Sequence, residues 1–162
     1  MTPDTEEFQR LYKDGYQAVF RAAYLLTGSR EEARDVTQET FARAFERWTH
    51  VSKLANPEGW LHRVAVNQAL SWRRRQRIAR RKAPNPAVLV PAPSENGSDP
   101  QLIEALRSLP PAQRAAVVLR YYADQSIDQT AIALGKPPGT IRSLTSQGTA
   151  RLRKLLGESD ES

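Results

Sequence analysis

The stretch from Ser126 to Arg151, SIDQTAIALGKPPGTIRSLTSQGTAR, constrains the fold more than any other part of the chain, because its spacing prescribes two helices meeting at a tight turn. Ala131 is small enough for a close helix crossing, Leu134 is a core position, and Gly135 permits the positive φ that ends a helix. Pro137 and Pro138 cannot continue that helix but are tolerated in the first turn of the next, so the second helix starts near Pro138. On it Ile141, Leu144, Gly148, Leu152 and Leu155 recur at helical spacing and form the buried stripe. Thr140, Arg142, Ser143, Ser146, Gln147 and Arg151 point outward, a hydrogen-bonding face without a carboxylate. Arg suits the guanine acceptors of a major groove and Gln the adenine edge, while a helix N-terminus offers N–H groups to phosphate. The expectation is a helix-turn-helix that reads duplex DNA.

Composition agrees with a polyanionic partner. The 162 residues carry a net charge of +6 with a pI near 10.0. That length allows one ordinary domain or two small ones with thin cores. There is no cysteine, which excludes a disulfide framework, a thiolate nucleophile and a zinc-finger ligand set, and a reducing cytoplasm is the expected location. The N-terminus, MTPDTEEFQRLYKDG, is acidic rather than signal-like, and no run of some twenty apolar residues occurs, so no membrane insertion is expected.

Along the chain, helical periodicity recurs almost without strand alternation, which predicts an all-α protein. The strongest break lies between Ala83 and Pro100, where Pro84, Pro86, Pro91, Pro93 and Pro100 with Gly97, Ser94 and Asn96 read as a flexible linker. Upstream, Phe8, Leu11, Tyr12, Val19, Ala22, Ala23 and Leu26 form one amphipathic stripe ending at Thr27 and Gly28, and Ser29 is placed to cap the next helix. That helix turns Ala33, Val36, Thr40, Phe41, Ala44, Phe45 and Trp48 inward. A third, opened by Asn56 and Pro57, contributes Trp60, Leu61, Val64, Ala65 and Ala69. After the linker, Leu102, Ala105, Leu106 and Leu109 start a second bundle, interrupted at Pro110 and Pro111 and resumed by Val117, Val118, Leu119, Tyr121 and Tyr122.

Two charged stretches of opposite sign stand out upstream of the linker. The helix after Ser29 presents Glu31, Glu32, Asp35, Gln38 and Glu39, which suit a helix N-terminus and also a protein-docking face. The run Arg73, Arg74, Arg75, Arg77, Arg80, Arg81 and Lys82 continues the helix that begins near Pro57 and suits backbone phosphate.

Taken together, these motifs resemble the extracytoplasmic-function (ECF) sigma factors of bacterial RNA polymerase, within the sigma-70 family. AYLLTGSREEARDVTQETFARAFERW and NPEGWLHRVAVNQALSWRRR resemble the family's region two. ALRSLPPAQRAAVVLRYYADQSIDQTAIALG and GTIRSLTSQGTARLRKLL resemble its region four. The resemblance implies two small helical domains, 1–82 and 100–157, joined by a linker at 83–99 and followed by a tail at 158–162.

It also implies residue roles. Asp35, Gln38, Glu39 and Phe41 would dock on the clamp helices of the largest polymerase subunit, with the second domain meeting the flap of the second-largest. Asn67 of the Ala-x-Asn motif would hold an extruded base of the minus-ten element, in a pocket completed by His50 to Glu58, with Trp72, Arg73, Arg74, Arg75 and Arg77 on the strand. The outward face of the last helix would read the minus-thirty-five element. Gln147, Pro137, Gln129 and Thr130 depart from the usual pattern, and Gln147 in particular shifts the expected base preference towards adenine. Regulation is expected from outside the chain, by an anti-sigma protein.

No catalytic residue, metal ligand or cofactor is expected. Glu58 and His62 at i, i+4 find no third ligand, and neither a phosphate loop nor a nucleophile elbow occurs. A stand-alone helix-turn-helix regulator is the alternative, with the first bundle dimerising. A basic RNA-binding adaptor is a third reading, which explains the arginines alone.

Overall fold

A computed structural model describes residues 3–82 and 100–157, so the expected linker and tail lie outside the described residues. Among these the chain is helical with no strand. Helices α1 (Pro3–Thr27), α2 (Arg30–Glu46), the single turn α3 (Trp48–Val51) and α4 (Pro57–Lys82) form the first half. Helices α5 (Pro100–Arg107), α6 (Pro111–Val117), α7 (Ile127–Leu134) and α8 (Pro138–Gly157) form the second.

Local signals set these boundaries. Gly28 adopts φ 73° and donates its N–H to the Tyr24 carbonyl at 2.7 Å, ending α1. Ser29 then caps α2, its Oγ accepting from the Glu32 N–H at 3.1 Å. Asn56 caps α4 in the same way, accepting from the Gly59 N–H at 3.0 Å. Buried hydroxyls within the helices are satisfied one turn back: Thr27, Thr37 and Thr40 donate to the carbonyls of Ala23, Ala33 and Val36. In the second half, the Arg114 guanidinium donates to the carbonyls of Leu106, Arg107 and Leu109, closing the orphan C-terminal end of α5.

Rings space the first bundle. Phe8, Tyr12, Tyr16, Phe20 and Tyr24 follow one another at i, i+4 along α1, and Phe41 of α2 stands 4.8 Å from Tyr12 and 6.2 Å from Tyr16. Leu26, Leu61, Leu106, Leu119 and Ile141 are fully buried, each contributing about 1.5–3 kcal/mol of transfer free energy. The apolar cluster is continuous from α1, α2 and α4 into α5, α6 and α7. Two thin cores were expected, whereas the halves share one. The α4 helix lies against α7, and α1 against α5 and the segment after α6.

Four expected core positions face outward, Tyr12 among them at 41% exposed on the outer edge of the α1 ring row. Phe45 is 58% exposed, with the Phe8 ring 5.0 Å away on its covered side. Leu155 is exposed because the α8 stripe runs Ile141, Thr145, Gly148, Leu152, Leu156, so Leu156 takes the core position and Thr145 an inner one. Tyr121 lies in a π-helical turn, Val118–Tyr122, where the Ala123 N–H reaches the Val118 carbonyl five residues back. The extra residue shifts the stripe, burying Val118 and Leu119 and leaving Tyr121 outside.

The helices α6 and α8 cross at Gly148. A Cβ there would lie 2.6 Å from Val117 Cγ2 and 3.4 Å from the Gln113 carbonyl. Gly148→Ala is expected to destabilise the fold by about 1–3 kcal/mol through overpacking. Gly139→Ala on the same helix meets nothing within 4 Å and is expected to be neutral or stabilising by up to about 1 kcal/mol, read from urea midpoints.

His62 is buried, and burial lowers its pKa from 6.5 to about 4. Between these values the unfolded chain binds a proton that the folded protein refuses. The stability from this group is therefore complete above pH 6.5 and is lost as pH falls towards 4, by about 3 kcal/mol in total. Urea midpoints measured across that window should fall with pH in the native protein, and the slope should flatten in His62→Leu.

Candidate nucleic-acid interface

The turn before α8 is built as its residues require. Gly135 adopts φ 65° and ψ 38°, and the Lys136 N–H closes on the Ala131 carbonyl at 3.0 Å. At the other end of α7, Ser126 Oγ accepts from the Gln129 N–H at 3.0 Å while Gln129 Oε1 accepts from the Ser126 N–H at 2.8 Å. The unusual Gln129 thus closes a capping box. Thr130 is fully buried with an unpartnered Oγ1.

On α8, Thr140, Arg142, Ser143, Ser146, Gln147 and Arg151 are all exposed, and the structure brings these six expected residues onto one helix. Gln147 Oε1 also accepts a 3.2 Å bond from Gln113 Nε2, which orients the side chain that departs from the usual Arg.

A second region lies on the first half. A crevice of about 660 Å³ is enclosed by residues after α2, including Arg47, His50 and Asn56, and by Trp60, Arg63 and Asn67 of α4. Its volume falls in the range of small-molecule pockets and accommodates a nucleobase. The expected loop, His50 to Glu58, therefore does border Asn67. Ile132 of α7 also lines it, so the second half reaches this crevice.

Asn67 borders a further crevice of about 600 Å³, lined by Glu32, Asp35 and Glu39 of α2 and by Ser71 and Arg75 of α4. Burial raises the Glu32 pKa first, reinforced by Asp35 and Glu31 and opposed by Arg75. Asp35, Gln38 and Glu39 are exposed on this acidic face. Arg43 and Glu39 approach to 3.9 Å with both side chains half exposed, an ion pair of little energetic weight. Phe41 does not join the face. It is 2% exposed among the α1 rings, because it stands about 200° round the helix from Glu39, on the inner side.

The arginine run divides. Arg75 Nη1 donates to Ser71 Oγ at 2.9 Å and belongs to the acidic crevice. Arg73 is half-buried towards α6, its pKa pushed down to about 10 by burial and by Arg107, Arg114, Arg80 and Arg77. Arg74 and Arg77 are exposed, and Trp72 is half-buried. The expected minus-ten set of Asn67, Trp72, Arg73, Arg74, Arg75 and Arg77 is thus spread around α4 rather than gathered on one side. Ser71 and Arg63 were missed, although their i ± 4 spacing from Asn67 marks them as face neighbours.

Glu58 is exposed while His62 is buried, so this pair does not form a site. Among the described residues no group of His, Cys, Asp and Glu could hold a metal ion, and no helix is long and apolar enough to cross a membrane.

Residues 11–78 match sigma-70 region 2 and residues 100–152 match sigma-70 region 4. The chain is 38% identical to the ECF RNA polymerase sigma factor SigE of Mycolicibacterium smegmatis over 96% of its own length, and it spans 63% of that protein. It is 31% identical to the RNA polymerase sigma-E factor of Streptomyces avermitilis, covering 95% of this chain and 87% of that one. The fold is shared with the sigma factor RpoE of Bartonella quintana, solved in complex with the anti-sigma factor NepR, at a TM-score of 0.77 and 24% identity over 93% of this chain and 97% of that one. With both sigma regions matched in order and the fold shared end to end, the chain belongs to the ECF sigma factors of the sigma-70 family.

Proposed function

We propose that this protein binds core RNA polymerase through the exposed acidic face of α2 and directs it to promoters, without catalytic activity of its own. Asp35, Gln38 and Glu39 dock on the polymerase, the Asn67 crevice holds an extruded minus-ten base, and α8 reads the minus-thirty-five element. The observation that carries this reading is the position of Asn67, on the shared wall between the acidic face and a crevice large enough for a base. One helix then couples polymerase docking to strand capture. Domain boundaries at 82/83 and 99/100 follow from the same division, and the cytoplasm, where polymerase and DNA are, is the location.

Geometry adds a step. The two promoter elements lie about 25 base pairs apart, or about 85 Å at 3.4 Å per pair. A compact chain of this size spans only about 40 Å. With α7 against α4 and Ile132 at the Asn67 crevice, the halves must separate before both elements are held. The 17 residues from 83 to 99 reach at most about 60 Å, enough for that separation when added to the halves themselves. An anti-sigma partner that favours the closed arrangement would block promoter use, and the RpoE neighbour is itself complexed with an anti-sigma factor, NepR.

Binding of the purified chain to core polymerase, followed by run-off transcription, tests the proposal. Stable binding with new start sites is expected. Asp35→Arg with Glu39→Arg should abolish polymerase binding. Asn67→Ala should preserve it and impair open-complex formation, and Arg142→Ala should preserve it while weakening promoter use by about 1–3 kcal/mol. A chain that ignores polymerase yet shifts duplex DNA unaided would instead be a stand-alone regulator.

A further inference from the structure

Between the C-terminal part of α4 and the start of α6 lies a small crevice of about 120 Å³, lined by Leu70, Arg73, Arg74, Arg77, Pro111 and Arg114. Four of these six residues are arginines, and they come from both halves. Arg107 of α5 is close enough to act on Arg73 and Arg114. Among the described residues, the charged groups that shift Arg73 and Arg114 are all other arginines, and every one acts to weaken the cation. Arg107 has one counter-charge, Glu104 at 3.6 Å, whose carboxylate is 74% exposed.

Like charges held this closely at a partly dry interface oppose the packing around them. Their hydrogen-bonding capacity is also unspent. The Nε atoms of Arg73 and Arg107 are buried without a partner, whereas Arg114 is fixed by three backbone carbonyls. Planar guanidinium forks around a space of about four water volumes match the oxygens of one or two phosphoryl groups.

We propose that this arginine crevice binds a small oligophosphate, which ties α4 to α6 and holds the two halves together. The site exists only while the halves are in contact. A DNA backbone engaged by Arg74 and Arg77 after separation uses the same side chains but cannot use the assembled crevice, so free anion and promoter compete. That competition rests on the function proposed above, whereas binding of the anion does not.

Inorganic pyrophosphate is the probe, added to the full chain without polymerase at constant ionic strength. The chain has no cysteine, so Gln17→Cys in α1 and Lys154→Cys in α8 provide unique sites for an energy-transfer pair across the halves. Pyrophosphate is expected to raise both melting temperature and transfer efficiency saturably. A single-stranded oligonucleotide is expected to lower transfer. Arg73→Gln should weaken pyrophosphate at least tenfold, as should Arg77→Gln, an exposed position that spares the fold. Arg21→Gln on the exposed face of α1 should leave it unchanged. Equal effects from sodium chloride or sulfate, an undiminished response in both crevice variants, or closure by the oligonucleotide matching that by pyrophosphate would overturn the site. Failure to bind polymerase would overturn only the function proposed above.

Discussion

The structure depends on α4 being long enough to serve both halves. Its 26 residues span about 39 Å. Its inner side carries Leu61, Ala65, Val66 and Ala69 into the bundle with α1 and α2, another side meets α7, and its far end borders the start of α6 across the arginine crevice. Asn67 is exposed between these contacts, on a rigid backbone rather than a loop. Any rearrangement that frees one side of α4 therefore changes the surroundings of Asn67 without unfolding the helix that holds it.

Charge is segregated within the first half, and the second half adds arginines to its basic end. Acidic side chains gather on α2, and arginines crowd the far end of α4 and the facing ends of α5 and α6. Apolar burial joins the halves through the shared cluster around Ile103, Leu106 and Val118, while the arginines oppose the same contact. Attraction over an apolar area and repulsion at a few points give an interface that can be shifted in either direction by a polyanion. Gly28 also lies at this contact: a Cβ there would meet the Arg107 guanidinium at 2.7 Å and Ile103 at 3.2 Å, so a side chain at the end of α1 would displace Arg107.

Much of the local architecture was legible. Ser29, Asn56, Gly135 and Pro138 mark helix ends through short-range chemistry, and the structure places those ends where that chemistry requires. The outward face of α8 was equally legible, since Ile141, Gly148 and Leu152 define its inner side. Errors arose where periodicity meets an edge. Phe45 sits at the edge of its bundle, Leu155 yields the core position to Leu156, and Tyr121 lies in a π turn that no 3.6-residue period anticipates. Phe41 was assigned to an interface by resemblance, while its ring belongs to the aromatic core.

Helix ends, the apolar stripes and the existence of a polar reading helix were set by interactions within a few residues, so the order of side chains alone determines them. The shared core, the division of the arginine run between an acidic crevice and a domain contact, and the approach of Ile132 to Asn67 join residues from different helices, most of them far apart in the chain. Tertiary packing decided those, because a helix wheel says which way a side chain points and not which helix will be there to meet it.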